Sequence, residues 1–169
     1  MNATSSTVHE RSTAMAGDKL AGRVALVTGG TRGIGAAICQ SLASQGASVA
    51  AGYTVNTPKA EQFLSDFKEQ FAGRVPASIH RGNVSSPEDC RRVVQEVLDE
   101  HGRLDILVNN AGITMDKMAM KMTVEEWNTV LAVNLSGSFF MAQPDLEHMV
   151  ERGTGRISLG AAVMGESGA

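Results

Sequence analysis

The stretch that decides the fold is Thr28–Gly35, TGGTRGIG, directly after the apolar run RVALV at Arg23–Val27. The near-continuous β-branched character of RVALV predicts a strand buried on both faces, and the pattern after the glycines predicts a helix from about Ile34 to Gln45, closed by Gly46. Between them, Gly29, Gly33 and Gly35 sit at a strand-to-helix bend. Glycines there let backbone approach a diphosphate, whose charge then meets unpaired N–H groups at the helix N-terminus. The spacing departs from G-x-G-x-x-G, and a tight turn alone would also account for such glycines.

Working outward, short apolar runs alternate with longer amphipathic ones. Ser48–Gly52 reads as a second strand, followed by a helix capped by Thr57 with Pro58 in its first turn. That helix runs to about Phe71, with Phe63, Leu64, Phe67 and Phe71 on one face. Ala77–His80 is a third strand, and Ser86-Pro87-Glu88 opens a helix carrying Val93, Val94, Val97 and Leu98. LDILVNN is a fourth strand. Thr123 and Glu126 make a capping box for a helix through Trp127 and Leu131, and a further helix covers about Ser138 to Val150, with a kink or break expected at Pro144. Arg156–Leu159 is a fifth strand. The alternation predicts an α/β fold: a three-layer Rossmann-type doubly wound parallel sheet. Residues 1–20 are expected to form a disordered tail, with Met15 an alternative start, and residues 21–169 one dinucleotide-binding domain.

Composition sets bounds on function. With 169 residues, 43% hydrophobic and a net charge of -3, the chain has the balance of a globular protein and no electrostatic bias towards nucleic acid or an anionic membrane. No apolar run has the length of a membrane span, and no signal or transit peptide is legible, so a cytoplasmic location is expected. Two cysteines, Cys39 and Cys90, both in helical patterns, predict buried thiols and no disulfide framework. His9, His80, His101 and His148 show no ligand spacing, so no metal site is expected. Met115, Met118, Met120 and Met122 read as irregular packing after the fourth strand, with passage of an acyl chain the alternative.

Asn109–Gly112, NNAG, falls at the carboxyl end of the fourth strand, the edge that borders the ligand crevice of a doubly wound sheet. Together TGGTRGIG, LVNNAG and VNLSG (Val133–Gly137) resemble the short-chain dehydrogenase/reductase family. The run from Ala111 to Gln143 is similar to its 3-oxoacyl-thioester reductase branch, which acts on acyl-carrier-protein or CoA thioesters. The resemblance implies that Gly29, Thr31, Arg32, Gly33, Ile34 and Gly35 contact the diphosphate and adenosine ribose of a nicotinamide cofactor. It also sets Asn83 and Val84 beside adenine, and Asn110, Ala111 and Gly112 along the ribose and nicotinamide. Many relatives carry Asp where this chain has Asn83. The segment after the second strand, AAGYTVN, holds no acid from Ala50 to Asn56 to favour an unphosphorylated ribose. Arg32 and the Thr54 hydroxyl would instead meet a 2′-phosphate, so the expected cofactor is NADPH (NADP), with a solvated surface charge the alternative for Arg32.

By the same resemblance, hydride transfer to a ketone uses Asn, Ser, Tyr and Lys. Asn134 matches the Asn, with local backbone capping its alternative role. The single tyrosine, Tyr53, is followed four residues later by Thr57, and Tyr-x-x-x-Lys occurs nowhere in the chain. The Ser position falls on Ala162, unless a shifted register brings Ser158 to it. The expectation is therefore a C-terminally truncated reductase, its sheet incomplete and its homo-oligomer weakened or lost. The alternatives are a fragment that at most binds the nucleotide, or an ending that is an artefact. An acyl thioester is the expected substrate.

Overall fold

The computed structural model describes residues 19–160. Residues 1–18 of the tail expected over 1–20, and the Ser position at Ala162, lie outside them; Leu20, expected in that tail, donates its N–H to the Gln45 carbonyl at 2.9 Å. Five parallel strands, β1 (Val24–Val27), β2 (Ser48–Tyr53), β3 (Ala77–Arg81), β4 (Ile106–Asn109) and β5 (Arg156–Leu159), form one sheet in the order β3-β2-β1-β4-β5. Five helices connect them: α1 (Gly33–Ser44), α2 (Thr57–Gln70), α3 (Pro87–His101), α4 (Val124–Leu131) and α5 (Gly137–Glu151).

Strand alternation sends neighbouring side chains to opposite faces and so builds two cores. Val24, Leu26, Ala50 and Leu107 pack with Val93, Val94 and Val97 of α3 and Met141 and Met149 of α5. On the other face Val27, Val49 and Ala51 pack with Cys39 and Ala43 of α1 and Phe67 of α2. The aromatic face expected of α2 is an inward row, with ring centroids of Phe63 and Phe67 5.6 Å apart and of Phe67 and Phe71 4.7 Å apart. Both thiols are buried, and burial pushes Cys39 up to about 12 and Cys90 up to about 11, so neither is a reactive thiolate near neutrality.

Three local expectations need correction. The cap of α2 is Asn56, not Thr57: Asn56 takes a left-handed conformation (φ 66°) and its side chain accepts the N–H of Lys59. Asn tolerates that conformation because its short amide bonds locally. Pro144 does not break α5, which is helical from Gly137 to Glu151. The two C-terminal helices are also not separate elements. A π-helical segment, Ala132–Ser136, joins α4 to α5 without a loop. The capping box is as expected, with Thr123 Oγ1 accepting the N–H of Glu126 at 3.2 Å and the Glu126 carboxylate accepting the N–H of Thr123 at 3.0 Å. Among the described residues, no helix is long and apolar enough to cross a membrane.

Candidate dinucleotide site

Strand order reverses between β1 and β4, so the chain leaves these two central strands in opposite directions and opens a crevice at their carboxyl ends. The bend from β1 into α1 lies there. Gly29 and Gly33 adopt φ of +64° and +53°, the left-handed region that favours glycine. Gly35 is required for a different reason: a Cβ on it would stand 2.1 Å from the carbonyl oxygen of Gly29. The bend can therefore fold back on the first turn of α1 only without a side chain at that position.

The N-terminus of α1 differs from those of the other loop-initiated helices. The starts of α2, α3 and α4 are capped by the side chains of Asn56, Ser86 and Thr123. That of α1 is preceded by Arg32, in extended backbone (φ -156°, ψ 163°), with no side-chain cap and no acid in its first turn. Its leading N–H groups thus keep their hydrogen-bonding capacity and their share of the helix dipole, which suits an anion. This fits the diphosphate of a dinucleotide. Arg32, Gly33 and Ile34 are exposed around the turn, and Thr31 is half-buried.

A brace holds the bend to β4. Thr28, 4% exposed, accepts the N–H groups of Asn110 and Ala111 on its hydroxyl oxygen at 3.0 and 2.9 Å. The Asn110 side-chain amide donates to the carbonyls of Thr28 at 2.9 Å and Gly29 at 3.4 Å. Asn110 therefore spends its amide on shaping the glycine turn. Thr28 escaped the sequence reading; the available signal was a hydroxyl closing an otherwise apolar strand.

Gly29, Thr54, Asn83, Val84 and Ala111, five of the expected cofactor residues, line one cleft together with Leu26, Thr28, Tyr53, Cys90 and Met141. Thr54 Oγ1 donates to the carbonyl of Gly82 at 3.1 Å, so its hydroxyl proton is engaged and its lone pairs are not. Asn83 Oδ1 accepts the N–H and the hydroxyl of Ser85 at 3.0 and 2.8 Å, so the acceptor side of its amide is engaged locally. Asp89 borders the same cleft; the Asn83 N–H and then the Arg92 guanidinium hold its carboxyl below the usual range.

Asn134 lies in the π-helical segment. Its Oδ1 accepts the N–H of Ile113 and its Nδ2 donates to the Ile113 carbonyl, both at 2.9 Å. A Cβ on Gly112 would meet Asn134 Oδ1 at 3.4 Å. The two-point clamp holds the irregular segment following NNAG against the helix. π-segments recur at functional positions, and the widening here carries no signature in the sequence. Tyr53 ends β2, and its hydroxyl donates to Thr57 Oγ1 at 3.4 Å. Ser158 pairs with Val108 in the body of β5, a residue short of the Leu159–Asn109 pair.

The comparisons agree with this geometry. The family model for short chain dehydrogenase matches residues 23–168, and the chain belongs to that family. Acetoacetyl-CoA reductase of Rhizobium meliloti (strain 1021) is 46% identical over 146 residues, 86% of this chain and 57% of that protein. The 3-oxoacyl-[acyl-carrier-protein] reductase of Aquifex aeolicus (strain VF5) is 38% identical over 152 residues, 89% of this chain and 59% of the relative. A short chain dehydrogenase from Burkholderia cenocepacia J2315, solved in complex with NADP, superposes with a TM-score of 0.71 at 35% identity, covering 76% of this chain and 51% of that one. The chain thus spans a little over half the length of the relatives it matches.

Proposed function

We propose that this chain binds NADPH and is the nucleotide-binding portion of a reductase that converts a 3-oxoacyl thioester, on CoA or acyl-carrier protein, to the 3-hydroxyacyl thioester. The observation that carries the reading is the uncapped N-terminus of α1 behind a glycine bend braced to β4. Support for the substrate comes from the acetoacetyl-CoA and 3-oxoacyl relatives, and support for the phosphorylated cofactor from the NADP-bound neighbour. The absence of acid from Ala50 to Asn56 points the same way.

When bound, the nicotinamide supplies a hydride to the ketone carbon. This chain's residues would hold the diphosphate at Gly33, Ile34 and Gly35, meet a 2′-phosphate with Arg32, and contact adenine with Asn83 and Val84. The alkoxide left by hydride transfer needs a proton. Asn134 is clamped to Ile113, and the 169 residues contain no Tyr-x-x-x-Lys to deliver one. The second reading, nucleotide binding without turnover, therefore applies to the chain as it stands.

Two assays separate the readings. Quenching or enhancement of NADPH fluorescence tests binding, and loss of NADPH absorbance with acetoacetyl-CoA tests turnover. Saturable binding with no consumption above background is the expected result; steady consumption would overturn the binding-only reading, and no saturation would overturn the cofactor assignment. Residual self-association through α4, the π-segment and α5 is part of the proposal, because Trp127, Leu135 and Phe139 on these three elements face outward at 54, 66 and 58% exposure. The neighbouring Phe140 packs on the core instead.

A further inference from the structure

Beside the dinucleotide cleft, which His80 also borders, the edge strand β3 and the end of α3 bring together side chains that the sequence leaves scattered. His80 on β3 and Glu100 and His101 on α3 place one ligand-capable atom each within 4.8 Å of one another. The two imidazoles converge on a single hydroxyl: Ser78 Oγ is 2.8 Å from His80 Nε2 and 2.7 Å from His101 Nε2. His80 Nε2 is also 3.9 Å from a Glu100 carboxylate oxygen.

The hydrogen bonds assign the tautomer of His80. Its Nδ1 lies 3.1 Å from a Glu96 carboxylate oxygen, which can only accept, so Nδ1 carries the proton and Nε2 presents a lone pair. A carboxylate behind a histidine in this way fixes the ring and raises its basicity towards a metal ion. The His80 side chain is only 4% exposed, so its orientation is set by packing as well. The carboxylates of Glu96 and Glu100 offset the charge of a dication, and the cluster sits on the last turn of α3, where the dipole favours a cation.

We propose that His80 Nε2, His101 Nε2 and a Glu100 carboxylate oxygen form a binding site for a borderline divalent metal ion, with Zn²⁺ as the probe. Two nitrogens and one carboxylate oxygen are a ligand set that Zn²⁺ accepts, at about 2.0–2.1 Å from nitrogen. On binding, the Ser78 hydroxyl gives up its place between the rings, and His101 ligates as its Nδ1–H tautomer, so no proton need be released from either imidazole. The bound ion ties the edge strand to α3. The proposal stands independently of the reductase reading.

The test is calorimetric titration of the metal-stripped full chain with Zn²⁺ at pH 7.5. One ion per chain is expected, with affinity reduced about tenfold or more in His101→Gln and Glu100→Gln, and about tenfold in Glu96→Gln, which leaves the three ligands in place and removes the carboxylate behind His80, along with its exposed ion pair to Arg92. His9→Gln and His148→Gln serve as controls and retain the parent affinity. Absence of saturable binding would overturn the site, as would binding that His101→Gln and Glu100→Gln leave unchanged. His101 is half-buried at a helix end and Glu100 is exposed, so neither variant depends on disturbing the core.

Discussion

Arg32 stands where a helix-capping side chain would otherwise be, and that single position joins two roles. Its backbone leaves the first turn of α1 without a cap, and its guanidinium is exposed beside the turn. Arg32→Glu is expected to weaken NADPH far more than NADH, by about tenfold or more in relative affinity, because a carboxylate repels the 2′-phosphate that only NADPH carries. Parallel fluorescence titrations check this, and equal losses for the two nucleotides would contradict it. Thr28 acts one layer deeper. Thr28→Val keeps its shape but removes the acceptor for the N–H groups of Asn110 and Ala111, at an expected cost of about 2 kcal/mol or more in urea unfolding. The glycines were legible in the sequence because their spacing follows a strand; Thr28 and the inward use of Asn110 were not, since hydrogen bonds across 82 residues leave no local pattern.

Among the elements, α5 carries a feature that its sequence pattern conceals. Asp145, 1% exposed, has neither carboxylate oxygen hydrogen-bonded. Arg152 Nη2 is 3.7 Å from it and donates instead to the Leu104 carbonyl at 2.5 Å. Burial raises the Asp145 pKa above the ordinary 3.8, against the smaller opposing pull of Arg152 and His148. A carboxyl whose folded pKa is raised binds more protons in the native state, so ionising it above that pKa costs stability, and the cost disappears as pH falls below the unfolded value. Asp145→Ala is therefore expected to stabilise the chain by about 1–3 kcal/mol at pH 7 and to lose that advantage below about pH 4. Chemical denaturation at several pH values checks it; a destabilised variant at pH 7 would show that Asp145 is a net partner for Arg152. Asp105 has the opposite sign. Burial pushes it up, but hydrogen bonds from Arg103, the Val24 N–H and Arg23 outweigh burial and hold it below 3.8. Its contribution is present at neutral pH and fades as pH falls through that lowered value. Element boundaries followed from caps and periodicity except at the start of α2, capped by Asn56 in place of Thr57, and at the α4–α5 junction, where a π-segment replaced the loop that Ser138 implied.

At the scale of the described domain, three layers follow from alternating strand and helix patterns, and the sheet takes the order β3-β2-β1-β4-β5. What the alternation does not specify is which apolar residues face outward. Ile157 and Leu159 on β5 are exposed at 39 and 68%, as are Leu146 and Val150 on α5 at 41 and 77%. With Trp127, Leu135 and Phe139 they give the described domain more exposed apolar surface than its composition implies. Phe139→Glu is expected to shift the chain towards monomer in sedimentation velocity, with little change in unfolding midpoint, because the ring is exposed in the single chain. An unchanged distribution would place any association elsewhere. The histidine cluster belongs to this scale too: His80 meets Glu100 and His101 only because β3 lies against α3.

The central claim is that the leading amides of α1 receive a dinucleotide diphosphate, and amide-resolved nuclear magnetic resonance during NADPH titration addresses it most directly. Saturable shifts largest at the N–H groups of Gly33, Ile34 and Gly35, in a spectrum whose dispersion shows a folded chain, are the predicted result. A folded spectrum in which those three resonances stay in place at saturating nucleotide would contradict the account.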